Sequence, residues 1–354
     1  MKKIQEANLE NKRVLVRADF NVGIVDGVVQ EKFKLKACKE TVDFILSQGG
    51  SRVALCSHLG RPAAVKTLAG KPDGDMQDEF SLSQLVGDLE NILERKVVFA
   101  FDCIGEDVAT ALENLGEGEV LLLENVRFHE GEEKNDEDFS EKLAANFDMF
   151  VNEAFSVCHR DQSSVTGVTK FLPSFAGFWL QKEIENLNKI LENPKRPATA
   201  IIGGAKIETK LPLIKKFEQV YDHILVGGKI SNEALDQKLE FSDKVILPWD
   251  FEGDRLDIGE ETAKKFKEIV LESGTVVWNG PLGKFEESPY DRSTREILGV
   301  VAESGAYSLI GGGESVQVLE ENGLMDKISF VSTGGGAMLE YLSGNKMPGI
   351  ESLN

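Results

Sequence analysis

The chain has 354 residues, 41% hydrophobic and 28% charged, with a formal net charge of −20. Its length suits two domains, its acidity argues against nucleic acid as a partner, and no apolar stretch approaches the ~18 residues of a membrane span. The start "MKKIQEANLENKRVLV" lacks the apolar run of a secretory signal, and Cys38, Cys56, Cys103 and Cys158 show no CxxC spacing, so free thiols in a reducing, cytoplasmic setting are expected.

Strand-length apolar runs recur along the chain. The first half has "RVLVRADFN", "SRVALCSHLG", "KVVFAFDC", "EVLLLENVRF" and "DMFVNEAF". The second half has "ATAIIGG", "HILVGG", "DKVILP", "TVVWNG", "YSLIGGG" and "ISFVSTGGG". Continuously apolar strands separated by helix-like segments predict parallel sheets covered on both faces. The fold class is therefore α/β, with two doubly wound, Rossmann-like domains. Between the halves, Leu180, Ile184, Leu187 and Leu191 form a helical stripe that Asn193 and Pro194 end. A long joining helix with a hinge nearby fits, and so does an ordinary crossover helix. The acidic stretch Glu130 to Leu143 reads as a solvated loop and helix start.

The strand ends differ between the halves. First-half runs end in Asp19, Asn21, His58, Arg61, Asn125, Arg127 and Asn152; second-half runs end in Gly203, Gly204, Gly227, Gly228, Gly280, Gly311 to Gly313 and Gly334 to Gly336. Ligands of open α/β sheets sit at the carboxyl ends of strands. One domain thus offers basic and polar side chains, and the other bare backbone suited to a nucleotide's phosphates. In the first half, Arg61, Arg127 and Arg160 can converge on phosphate and carboxylate as forked donors, or serve singly in surface salt bridges. Asp19 and Asn21 can orient hydroxyls. His58 and His159 can be ligand contacts or structural, while His129 and His223 are assigned to surface or structure. With four histidines and no HExxH, no zinc site is expected.

In "AIIGGAKIETKLPLI", a helix starting just after Gly204 puts Lys206 and Lys210 on one face near free amides. That is a phosphate trap, or two solvated lysines. GxxxxGK[ST] and GxGxxG are both absent, which lowers a dinucleotide reading. "VVWNGPLGKFE" is a turn in which Glu286 can accept ribose hydroxyls. "LIGGGESV" ends a strand on glycines and opens a helix with Glu314 and Ser315; its amides suit phosphate and Glu314 suits Mg²⁺. "STGGGAMLEYL" repeats that architecture.

Together "VRADFNV", "SHLGRP", "ENVRFHEGEEKN", "GGAKIETK", "VVWNGPLGKFE", "GGGES" and "STGGGAMLEYLSG" resemble the phosphoglycerate kinase family, in the family's order from Val14 to about Leu353. The resemblance implies reversible phosphoryl transfer between 1,3-bisphosphoglycerate with Mg-ADP and 3-phosphoglycerate with Mg-ATP, in glycolysis, after domain closure. It implies an N-terminal phosphoglycerate domain over 1–172 with a tail of about 338–354 packing back on it. A joining helix over 173–193 and a nucleotide domain over 194–337 complete the expected chain, as a monomer. Substrate binding falls to Asp19, Phe20, Asn21, Lys34, His58, Leu59, Gly60, Arg61, Arg127 and Arg160. Nucleotide binding falls to Gly204, Ala205, Lys206, Lys210, Gly228, Leu256, Asn279, Pro281, Glu286, Gly312, Gly313, Glu314 and Ser315, with Glu314 toward the metal. Catalysis falls to Lys34, Lys206, Gly312 and Gly335.

The chain departs from the family pattern in places. Lys34 stands where the family has an arginine near the transferring phosphate, keeping the charge without the planar fork. Glu314 stands for an aspartate, Gly23 for a proline, Ser156 for a glycine and Lys229 for a third glycine, and the chain is shorter than most members. These changes bear on rate, and they leave a second reading: a degenerate homologue that binds nucleotide or phosphoglycerate in a binding or regulatory role.

Overall fold

The apolar runs form two parallel six-stranded sheets in a computed structural model that describes residues 1–62 and 79–354. The chain divides into two compact units, Met1–Lys182 with Met347–Asn354, and Glu183–Lys346.

In the first unit the strands are β1 (Arg13–Arg17), β2 (Arg52–Cys56), β3 (Val97–Ala100), β4 (Val120–Leu123), β5 (Met149–Asn152) and β6 (Ser174–Ala176). Their order is β3-β4-β2-β1-β5-β6. Arg17 is in register with Cys56 on one side and Asn152 on the other. The residues leaving these three strands therefore emerge side by side. Five of the strands were legible as apolar runs; β6 is three residues long behind Pro173, too short to carry an apolar signal.

The second unit holds β7 (Ala198–Ile202), β8 (His223–Val226), β9 (Val245–Ile246), β10 (Thr275–Asn279), β11 (Tyr307–Gly311) and β12 (Phe330–Ser332). Their order, β9-β8-β7-β10-β11-β12, is the doubly wound order in which the chain reverses direction between the first and fourth strands. Asn279 of β10 is level with Ile202 of β7 and Gly311 of β11, so the glycines after all three strands meet at that reversal.

The chain passes from the first unit to the second within the helix Phe178–Glu192. Its buried face comprises Leu180, Glu183, Leu187 and Ile190, with Ile184 and Leu191 only half-buried. Glu183 Oε1 accepts hydrogen bonds from the Thr333 amide (2.7 Å) and hydroxyl (2.8 Å). The acidic stretch forms the helices Gly131–Lys134 and Glu137–Ala144 with most of its charged residues exposed, but Glu132 departs from the solvated reading and is fully buried.

After leaving the second unit, the last eight residues rejoin the first. The Gly349 amide donates to the Cys158 carbonyl (2.9 Å), and the Lys2 amide to the Leu353 carbonyl (2.8 Å). A Cβ at Gly349 would stand 2.7 Å from Val165 Cγ1 and 2.9 Å from Cys158 Cα, so only glycine fits there. All four cysteines are buried and free. Among the described residues no helix is long and apolar enough to cross a membrane.

Candidate active site

Charge gathers at the strand ends of the first unit. Arg17, the last residue of β1, is fully buried. Its Nε donates to the Ser164 hydroxyl (2.8 Å), Nη1 to the Ala18 carbonyl (2.7 Å) and Nη2 to His58 Nδ1 (3.0 Å). A guanidinium cannot accept, so His58 Nδ1 does, which places the proton of the neutral ring on Nε2. Burial, then Arg17, Arg127, Arg160 and Lys34, hold the His58 pKa well below its usual value. Four cations therefore surround one neutral imidazole. The counter-charge for Arg17 is relayed: the Ser164 hydroxyl donates to Glu132 Oε1 (2.6 Å) and the Ser164 amide to Oε2 (2.9 Å).

Arg127 is 7% exposed. Its Nη1 donates to the Gly60 carbonyl at 2.7 Å, while buried Nε and Nη2 have no hydrogen-bond partner among the described residues. The nearest carboxylate, Glu133, lies 3.6 Å from Nε. Burial, then Arg17 and Arg160, lower the Arg127 pKa to about 10. Leaving a buried donor unmet costs about 1–3 kcal/mol, so this guanidinium is held ready for an anion. Arg160 is half-buried, its pKa lowered by burial and then by Arg61, which is exposed.

The other expected residues of this unit gather here. Asn21 Oδ1 accepts from the Gly60 amide (2.9 Å), and Asp19 Oδ1 from the Asn21 amide (3.1 Å). Lys34, on the short helix Lys32–Lys36, reaches the Asn21 carbonyl (3.2 Å) and Glu31 (2.9 Å). Phe20 and Leu59 point into the core, which leaves them only backbone to offer. Sequence reasoning did not single out Arg17, Glu132 or Ser164; an arginine closing an apolar strand was the available signal for the first. Asn125 acts from behind: its Nδ2 donates to the Leu59 (2.8 Å) and Phe80 (2.9 Å) carbonyls, and its Oδ1 accepts from the Arg127 amide (3.0 Å).

The second unit combines close-packed glycine backbone with a lining of mixed side chains. A cleft of about 430 Å³ is lined by Gly204, Ala205, Leu256, Pro281, Glu286 and Glu314 among the expected residues, and by Lys229, Arg255, Lys284 and Phe285 among those not expected. Such a volume is that of a small-molecule site. Its floor is tightly packed. The Gly204 amide donates to Pro281 (2.8 Å) and the Gly228 amide to Leu282 (2.7 Å). Cβ atoms at Gly203 and Gly228 would stand 2.0 and 2.7 Å from the Pro281 carbonyl oxygen, and Gly228 has φ +65.

Lys210, Asn279, Gly312 and Ser315 are not among the residues that line the cleft. Lys210 Nζ donates to Asn279 Oδ1, and Asn279 Nδ2 donates to the Gly311 carbonyl (3.0 Å). The Gly280 amide donates to the Ser315 hydroxyl (3.0 Å), so Ser315 braces the turn. Burial lowers the Lys210 pKa to about 8, against a raising influence from Glu314. Burial, then Glu286, raises the Glu314 pKa. The Glu314 carboxylate in the lining of the cleft, with phosphate oxygens to join it, is a donor set that fits Mg²⁺.

Lys206 differs from its expected placement. The helix runs Ile207–Val220, and Lys206 precedes it in a left-handed conformation (φ 68), so it does not share the helical face of Lys210. The Ile207 amide is already met by Glu233 Oε2 at 2.7 Å, which takes one of the free amides the helix start offers. Gly313 is exposed in the first turn of the helix Gly313–Glu321. Gly335 starts the separate helix Gly336–Ser343 after β12 and does not line the cleft.

Comparison with known proteins places these features in one family. The family model described as phosphoglycerate kinase matches residues 4–244 and 248–345. The chain is 37% identical to the phosphoglycerate kinase of Borrelia hermsii, covering 100% of this chain and 99% of that one. It is 38% identical to that of Moorella thermoacetica, covering 99% and 98%. Among solved structures, phosphoglycerate kinase from Coxiella burnetii is similar with a TM-score of 0.80 at 31% identity, over 99% of this chain and 98% of that one. The enzyme from Pyrococcus horikoshii is similar with a TM-score of 0.86 at 27% identity, over 100% and 98%.

Proposed function

The chain belongs to the phosphoglycerate kinase family, and we propose how its own residues carry out that family's reaction. The enzyme is a phosphotransferase that moves a phosphoryl group reversibly between 1,3-bisphosphoglycerate with ADP and 3-phosphoglycerate with ATP. One observation supports the assignment of sides most directly: in a chain of net charge −20, buried Arg127, with two donors that have no hydrogen-bond partner among the described residues, is one of four cations that act on His58.

In this reading the anionic three-carbon substrate binds the first unit. Arg61, Arg127 and Arg160 take its phosphate and carboxylate oxygens as forked donors. His58 offers Nε2–H, and Asp19 with Asn21 orients the hydroxyl. Lys34 adds charge where the family has arginine. The nucleotide occupies the glycine-floored cleft of the second unit, with Glu286 accepting from the ribose and Lys210 holding the phosphates. Glu314 would hold Mg²⁺ together with those phosphates, and the ion would supply charge neutralisation.

The step itself is a displacement at phosphorus. A β-phosphate oxygen of ADP forms the new P–O bond while the acyl C–O–P link breaks at phosphorus, and the carboxylate leaves. An acyl phosphate needs no protein nucleophile, so catalysis comes from alignment and positive charge around the equatorial oxygens. Lys206 and the amides at Gly312 and Gly335 supply that charge. Domain closure, which the family likeness implies, brings the ligands together and excludes water. We read the enzyme as a cytoplasmic monomer, as the family resemblance implies, and its free, buried thiols suit a reducing compartment.

The test is a coupled assay with 3-phosphoglycerate, Mg²⁺ and ATP. Turnover that Lys206→Ala reduces by at least about a hundredfold, the scale of losing one charge-stabilising donor, is the expected result. Absence of turnover in the unaltered protein, with thermal stabilisation by nucleotide intact, would favour the binding-protein reading instead.

A further inference from the structure

Among the described residues, Asp102, Cys103 and His129 bring one carboxylate oxygen, one sulfur and one imidazole nitrogen within 4.8 Å of one another. Asp102 and Cys103 follow β3, and His129 follows the short helix Val126–Phe128 after β4. These strands pair along their length, so the sheet holds the two loops together although 27 residues separate Asp102 from His129. His129 Nε2 lies 2.7 Å from Asp102 Oδ1. The imidazole stacks on Phe139 with ring centroids 5.0 Å apart, which fixes its plane. Cys103 is 1% exposed, whereas the His129 and Asp102 side chains are 31% and 42% exposed. The sulfur forms the floor of the group and the other two ligands its mouth.

We propose that Asp102, Cys103 and His129 bind a zinc ion, at a site separate from the nucleotide's Mg²⁺. Mixed sulfur, nitrogen and oxygen donors at roughly 2.0–2.3 Å are what zinc takes, and such ligands stand roughly 3.3–3.8 Å apart around a tetrahedron. The Asp102–His129 contact need open by only about 1 Å to reach that spacing. The charge also balances, since the Asp102 carboxylate and Cys103 thiolate together cancel a dication. The thiol proton leaves to water as the metal enters. Three protein ligands leave a fourth position for solvent water at the exposed mouth. His129 lies two residues beyond Arg127, so the ion ties the loop carrying that arginine to the exit of β3.

The full-length, metal-free protein would be titrated with Co²⁺ alone and then with Zn²⁺ alone. One equivalent of Co²⁺ should produce an intense near-ultraviolet thiolate-to-cobalt charge-transfer band that Zn²⁺ abolishes by displacement. A magnesium site of oxygen donors cannot give that band. Cys103→Ser should remove it, Cys38→Ser should leave it, and His129→Gln should weaken zinc by more than the roughly 10–100-fold that losing an outer-shell partner costs. Absence of the band at one equivalent, or its survival in Cys103→Ser, overturns the proposal. Should Cys103→Ser fail to fold by circular dichroism, His129→Gln decides: unchanged zinc affinity there refutes the site.

Discussion

The two units solve anion binding by opposite means. The first concentrates side-chain cations, Arg17, Arg127, Arg160 and Lys34, around His58, and leaves two buried Arg127 donors unmet. The second uses glycines packed so closely that a Cβ at Gly203 would stand 2.0 Å from a carbonyl oxygen. One site is strained electrostatically until an anion arrives, and the other is committed sterically whether or not it does. Substitutions should therefore separate function from stability in the first unit and abolish both together in the second.

The largest effect should come from Arg127→Met, which keeps the packing and removes the charge. We expect kcat/KM for 3-phosphoglycerate to fall about a thousandfold, matching the 2–5 kcal/mol of a truncated buried charge pair. The unfolding free energy should hold or rise, because repulsion from Arg17 and Arg160 is relieved. Urea titration reads this directly, and a loss of stability equal to the loss of binding energy would erase the contrast. Next in size is Gly203→Ala, whose methyl must displace the Pro281 backbone. It should cost roughly 3 kcal/mol, the upper range for overpacking, and lower the melting temperature and nucleotide affinity together. Retained stability with lost nucleotide binding would show the glycine floor to be functional only.

The smallest effect sharpens the electrostatic side of the second unit. Lys210 is held at a pKa of about 8 by burial, below its usual value, so at pH 8 about half the population is neutral. Bound phosphates favour the charged form and raise that pKa. Nucleotide binding at pH 8 should therefore take up about half a proton, read by calorimetry in buffers of different ionisation enthalpy. Affinity should weaken as pH rises further, and Lys210→Arg should show neither effect. Proton release on binding would have the wrong sign and would exclude Lys210 as the phosphate partner.

Much of this was legible in the sequence because it is local. Apolar runs marked β1 to β5 and all six strands of the second sheet, and the glycine and charged strand ends divided the two binding styles. What escaped depends on partners remote in sequence. Glu132 was read as part of a solvated stretch because nothing nearby announces Ser164, 32 residues away, as its partner. The capping of Ile207 by Glu233, 26 residues distant, was invisible for the same reason, and with it the displacement of Lys206 from the helical face. Arg17 was hidden by success, counted as one more residue of a well-read strand. Strand order, set by crossovers rather than composition, was likewise not recoverable.

The return of Met347–Asn354 to the first unit has a consequence for biosynthesis. A ribosome that has finished 182 residues has synthesised nearly all of that unit but not the segment that seats Gly349 against Cys158. The second unit, continuous in the chain, can complete itself first. The nascent first unit must wait through the translation of its neighbour, its Cys158–Val165 surface bare, until Met347–Asn354 emerge to cover it.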